Sequence, residues 1–347
     1  MTAGSLRYGA VTAKARAMFG KRLRRGDYGK MAAMKSVAEV AGYLRAHTDW
    51  GRALEAVDIS DLHRDQLEAL LRRHSFAHFL RLFHYVGRED RVVLRYPVLT
   101  AEMEQIMRVM RLASSGHAGE YTFGLPEYFM KFSRIQYGLL PSVKTYDDLL
   151  KATADTDFYP ALRRLRPPNG EFPPYYQVET QMRRCYYRSL NGLLRGKKGR
   201  DGALLREAAG MQADWENITA IERILRYYPA LLPDIFQYLL PAGAHLRPDE
   251  VRAMISLGNA EGLRGLLKKT YYGPFLEGRE EDSLEQTGQL CLMSFYRRHM
   301  AGGTPSVFMP IAYISLYQNE LRNIIHTIEG VRYGLTPEDA EKTLVML

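Results

Sequence analysis

One short phrase recurs three times along the chain at nearly even spacing. Thr48, Trp50 and Leu54 form its first occurrence, Thr156, Phe158 and Leu162 its second, and Thr270, Tyr272 and Leu276 its third. In each, an aromatic follows the threonine by two positions and a leucine follows it by six. The threonines are 108 and then 114 residues apart. Solenoid units are far shorter, so a period this long marks copies of a whole domain. It predicts three similar domains, over residues 1–120, 121–228 and 229–347. Domains triplicated about a common axis make rings and funnels, shapes that bind axles better than small substrates.

A second phrase supports the division. Asp214, Asn217 and Ile218 lead to Arg226-Tyr227, and Glu320, Asn323 and Ile324 lead to Arg332-Tyr333. The first copy is weaker: Glu102 is followed by Gln105 and Ile106, with no Arg-Tyr. An acid and an amide three residues apart share one helix face, where they can bond a loop or a neighbouring helix end. A catalytic acid has no reason to be triplicated, so the phrase reads as a structural fastener. Thr48, Thr156 and Thr270 read as cap or turn hydroxyls, each with an anchoring ring below it.

Helix signals dominate. Val37, Val40, Ala41 and Leu44 keep helical spacing behind Ser36, a candidate N-cap. Apolar residues from Ile311 to Val331 predict a long C-terminal helix over 310–332, with Pro310 in its first turn and Gly334 as its stop. Thr336 then caps a short last helix that begins at Pro337. Strand patterns are scarce, and the expected fold class is all-α. Breaks are expected at 116–124, at 167–174, in a basic Gly-rich loop at 195–202, and at 229–233.

The chain of 347 residues carries a formal net charge of +9. Part of the excess lies in Lys14, Arg16, Lys21, Arg22, Arg24 and Arg25, and part in a run from Arg183 to Arg200. Such runs suit acidic partners: nucleic acid, anionic headgroups or acidic protein faces. Cys185 and Cys291 have no partner at metal-ligand or redox spacing, which suits a reducing compartment. No segment reads as a secretory signal, and the apolar stretch 306–317 is too short to span a bilayer, so a soluble protein is expected.

Catalytic patterns are missing. His74 and His78 stand one turn apart near His84, but Ser75 occupies the place of a metalloprotease glutamate. Arg72, Arg73 and Arg81 would oppose a cation there, so the sequence predicts no metal site. Gly192 to Lys198 has the wrong spacing for a phosphate loop. No nucleophile elbow or dinucleotide turn occurs, so neither enzyme activity nor a cofactor is expected. Arg184-Cys185-Tyr186-Tyr187-Arg188 interleaves rings with charge, and a basic helical scaffold that binds nucleic acid is the alternative function.

Several stretches carry a resemblance along the whole chain: Tyr8-Gly9-Ala10-Val11-Thr12 and the residues up to Met18, the segment 44–50, Leu239-Leu240-Pro241-Ala242-Gly243-Ala244-His245-Leu246, Lys268-Lys269-Thr270-Tyr271-Tyr272 and Glu320-Leu321-Arg322-Asn323-Ile324-Ile325-His326-Thr327-Ile328. In these the chain resembles the central-stalk connector of V-type (vacuolar/archaeal-type) rotary ATPases, known as the C subunit in bacterial and archaeal enzymes and as the d subunit in eukaryotes. The resemblance implies a funnel of three similar helical domains about a pseudo-threefold axis. It implies a base on the membrane proteolipid ring, a mouth for the tip of the soluble coiled-coil rotor axle, and transmission of torque during ATP-coupled proton or sodium transport. It also implies no active site or cofactor, no nucleic-acid partner, and a peripheral place on the cytoplasmic face of the membrane. Lys14, Lys21, Arg22, Arg24 and Arg25 are the residues expected near a partner or the headgroups.

Overall fold

A computed structural model describes residues 3–60, 62–121, 130–241 and 243–347. The regular structure among them is helical, without a β-strand, so the all-α expectation holds. The helices are α1 (Ala3–Phe19), α2 (Arg25–Ala32), α3 (Val37–His47), α4 (Arg64–Phe83), α5 (Arg95–Ser114), α6 (Tyr146–Ala152), α7 (Tyr159–Arg164) and α8 (Tyr175–Arg195). They continue with α9 (Gly199–Tyr227), α10 (Pro248–Ile255), α11 (Leu263–Leu267), α12 (Leu284–Gly302), α13 (Phe308–Arg332) and α14 (Pro337–Lys342). Short 3-10 turns lie between them, among them Asp49–Ala53 and Pro229–Gln237. Part of the expected break at 116–124 lies outside the described residues, as do Ala242 and the start of the expected second domain beyond residue 121.

Helix packing gathers the chain into two compact units, one of residues 1–90 with 264–347, the other of residues 91–263. The first is built on α13, which packs against α1, α2, α3, α4, α12 and α14. Residues on nearly every side of this helix are buried, from Phe308 and Ile311 to Ile328 and Val331, as expected for a helix surrounded by others. At 1.5 Å per residue its 25 residues span about 37 Å. It starts two residues before the expected Pro310, because the Ser306 hydroxyl accepts the Phe308 amide at 3.0 Å.

The end of α13 follows from one glycine. Gly334 takes φ +66°, a left-handed conformation open to a residue without Cβ. The Leu335 amide then reaches the Gly330 carbonyl at 2.9 Å and the Gly334 amide the Val331 carbonyl at 3.2 Å. These paired bonds satisfy carbonyls that the helix leaves open. Thr336 accepts the Asp339 amide and caps α14, and Ser36 likewise accepts the Glu39 amide and caps α3.

In the second unit, α8 packs against both α5 and α9. Val178, Met182, Cys185, Tyr186 and Leu190 form its buried stripe. The expected loop at 195–202 shrinks to its first few residues. Helix α8 runs to Arg195 and α9 begins at Gly199, leaving three residues between them. Gly202, which the sequence placed in the loop, is buried inside α9.

The three threonines sit in similar surroundings. Thr48 donates to the Leu44 carbonyl at 2.7 Å and accepts the Trp50 amide at 3.2 Å. Thr270 donates to the Leu267 carbonyl at 2.8 Å and accepts the Tyr272 amide at 3.2 Å. Thr156 donates to the Thr153 carbonyl at 2.7 Å. Below them Trp50, Phe158 and Tyr272 are buried, with Leu54, Leu162 and Leu276. Each hydroxyl closes the last turn of one segment, and those of Thr48 and Thr270 also start the next. Replacement by valine keeps the shape and removes both bonds, so Thr48→Val and Thr270→Val are each expected to cost roughly 1–2 kcal/mol, read as a lower urea midpoint at an unchanged slope.

Candidate functional site

Three buried carboxylates, Glu102 on α5, Asp214 on α9 and Glu320 on α13, share one kind of partner: main-chain N–H groups. On α13, Glu320 accepts the Leu23 amide at 2.9 Å and the Trp50 indole N–H at 2.7 Å. Residues 297 and 270 positions apart are joined by one side chain. On α9, a single oxygen of Asp214, Oδ2, accepts the amides of Ala244, His245 and Leu246 at 3.0, 2.8 and 3.2 Å. On α5, Glu102 accepts the Arg134 amide at 2.7 Å and the Ser133 hydroxyl at 3.0 Å, with Arg95 at 3.2 Å.

The amides three residues on act in the same manner. Asn217 exchanges two bonds with the Leu240 backbone, accepting its N–H at 2.7 Å and donating to its carbonyl at 3.2 Å. Asn323 does the same with Val345, at 3.1 and 2.9 Å. Gln105 instead accepts the Tyr121 hydroxyl at 2.7 Å. The Arg-Tyr end of the phrase lies elsewhere: Tyr227 and Tyr333 are exposed at the ends of α9 and α13.

Burial raises the Glu320 carboxyl to about 7, against the opposing pull of the Trp50 and Leu23 hydrogen bonds and the Arg22 charge. Burial also pushes Glu102 up, against the Arg134 amide and Arg95. Rings brace the Glu320 site. Tyr317 lies between Trp50, at 4.4 Å and 2°, and His78, at 4.3 Å and 6°.

His78 and His74 are buried on α4, whereas His84 is exposed. Burial pulls their imidazoles down, to about 3 for His78 and about 4 for His74, and the Arg81 charge adds to this. Their acidic neighbour is Asp49, whose Oδ2 lies 3.7 Å from His78 Nε2. Burial pushes the Asp49 carboxyl up, but Lys21 and Arg52 outweigh it and hold it below the usual range. The sequence did not point to Asp49, because the fold, not the spacing, brings it to α4.

Several of the basic residues have partners within the chain. Lys21 pairs with Asp49 at 3.1 Å and Arg25 with Glu341 at 3.0 Å. Arg22 lies over the Phe19 ring, and Arg16 donates to the carbonyls of Met300 and Gly303. Arg24 is exposed and Lys14 half-buried. In the second run Arg183 pairs with Glu179 and Glu216, both at 2.9 Å, while Arg195, Lys198 and Arg200 are exposed. Cys185 and Cys291 are buried and unbridged.

The model of the ATP synthase (C/AC39) subunit family matches residues 11–343. The chain belongs to this family. It is 22% identical over 355 residues to the C subunit of the A-type ATP synthase of Methanococcoides burtonii, a comparison that covers 99% of this chain and 95% of that one. Glu102, Asp214 and Glu320 all fall within the family match, together with the backbone groups they hold. No helix among the described residues is long and apolar enough to cross a membrane.

Two outcomes test the carboxylates as fasteners. The folded Glu320 pKa of about 7 lies above the ordinary 4.5. The native state therefore holds its proton more tightly, and this contribution is full below pH 4.5 and lost as pH rises through 7. Stability should fall by up to about 3 kcal/mol across that window, and Glu320→Gln should flatten this part of the profile in urea titrations at pH 5 and pH 8. At the other site, a Cβ on Gly243 would lie 1.6 Å from Asp214 Oδ1. Gly243→Ala should displace the carboxylate and cost roughly 1–3 kcal/mol, with faster hydrogen exchange at the amides of Ala244, His245 and Leu246.

Proposed function

We propose that the chain is a non-catalytic central-stalk subunit of a V-type rotary ATPase or ATP synthase. It would link the soluble rotor axle to the membrane proteolipid ring and pass torque between ATP chemistry and the movement of protons or sodium ions. The observation that carries this reading is the match to one ATP synthase subunit family along residues 11–343.

The physical character of the chain supports it. A torque coupler must resist deformation between its two ends. Long helices fastened by buried charge-assisted bonds resist bending and sliding better than loops do. The Glu320 bonds tie an early segment of the chain to a late one. In this reading the chain forms three related helical domains, over 1–120, 121–228 and 229–347, as a socket about the axle tip. Its place is peripheral, on the cytoplasmic face of the membrane, held there by the ring.

Of the basic group, Lys14 and Arg24 are the residues proposed to meet a partner or the headgroups, since Lys21 and Arg25 are engaged by acids of the same chain. The same pairing weakens the nucleic-acid alternative, because Arg183 of the second run is also neutralised internally.

A tagged chain expressed in its own cell and recovered from membranes in mild detergent should bring down a proteolipid ring and a coiled-coil rotor subunit. Recovery without any rotary ATPase subunit overturns the proposal. In the same pull-down, Lys14→Glu with Arg24→Glu should reduce the yield of the complex several-fold while leaving the unfolding free energy of the chain within about 0.5 kcal/mol.

A further inference from the structure

We propose that Asp49, His74 and His78 form a binding site for one divalent transition cation of the zinc class. Their ligand atoms all lie within 4.8 Å of one another. His74 is 9% exposed and His78 2%, and the Nε2 atoms of both are buried without a hydrogen-bond partner. Such orphaned nitrogens are costly inside a protein, and a cation is one of the groups that satisfies them. Two histidines four residues apart on one helix face reach the same metal ion.

The surroundings orient the three donors. The Tyr313 hydroxyl bonds His78 Nδ1 at 2.6 Å, which leaves Nε2 toward Asp49. Fixing the second ring nitrogen in this manner is how metal-bound imidazoles are held. Lys21 holds the other Asp49 oxygen, Oδ1, at 3.1 Å, while Oδ2 faces His78 at 3.7 Å. Ligands of a tetrahedral zinc ion stand about 3.3 Å apart, so the site needs only small side-chain rotations to close. A cavity of about 20 Å³ adjoins the cluster, and Lys21, Arg22, Asp49, His78, Tyr317 and Glu320 are among the residues that line it. It has room for about one water, the usual completion of a three-ligand zinc site.

The arginines that argue against a cation in the sequence are partly accounted for. Arg72 pairs with Glu68 at 2.7 Å. Arg52 lies 3.7 Å from Asp49 Oδ1, and Arg81 also acts on the histidines. Their charge sets the affinity below that of a cysteine-rich structural site. An imidazole pair favours zinc over magnesium or calcium, which prefer oxygen. A bound ion would tie α4 to the turn at Asp49–Ala53.

The test uses the full chain stripped with chelator and titrated with zinc or cobalt in a calorimeter. One ion per chain is expected, with a higher unfolding midpoint and none of this for magnesium. Asp49→Asn should weaken binding at least tenfold, His74→Ala with His78→Ala should abolish it, and the exposed His84→Ala should leave it unchanged. Equal binding by the double variant, or no saturable binding by the unaltered chain, overturns the proposal. Should the core variants fail to fold, imidazole nitrogen resonances of the unaltered chain decide it. His74 and His78 should shift with the first equivalent of zinc, and shifts confined to exposed histidines such as His84 would refute the site.

Discussion

The first unit depends on one buried carboxyl group. Glu320 sits in the interior, where an unpaired carboxylate is strongly disfavoured, and two donors from distant parts of the chain make it tolerable. Those donors are the Trp50 indole and the Leu23 amide. Each fixes a different element. Trp50 anchors the turn at Asp49–Ala53, and Leu23 lies just before α2. The stacked rings of Trp50, Tyr317 and His78 then set the distance between that turn, α13 and α4. Hydrophobic contact alone would let these elements slide over one another. The carboxylate gives them one register.

Asp214 and Glu102 meet the same requirement with other geometry. Three successive amides converge on one Asp214 oxygen, so the shorter acid is paired with a backbone concavity. Glu102 has a hydroxyl, an amide and a guanidinium instead. The chemistry persists while its partners differ.

Features set by neighbouring residues were legible in the sequence. Ser36 and Thr336 cap helices because a hydroxyl before a helical run has an amide within reach, and Gly334 stops α13 because it alone escapes the Cβ penalty there. The acid and amide of the repeated phrase were legible as one face of a helix, but not the groups they hold, since Glu320 reaches back 297 residues to Leu23. The same limit hid Asp49 from the histidines and Glu341 from Arg25. Composition misled at 195–202, where glycine and basic residues suggested an open loop. A positive φ at Gly199 turns the chain within three residues, and the helices continue.

The first unit is discontinuous in sequence, and this sets the order in which the molecule takes shape on the ribosome. Residues 91–263 form a unit of consecutive chain, so the packing partners within that unit are at hand once they emerge. Residues 1–90 emerge earlier but lack α13, around which they pack. They must wait while residues 91–263 are made, on the order of ten seconds or more at ordinary rates of synthesis. During that interval Trp50 and its neighbours are apolar surface without a core, the kind of surface that chaperones hold. Residues 1–90 are therefore finished only after residues 91–263 have been made and the helix that completes their unit has followed.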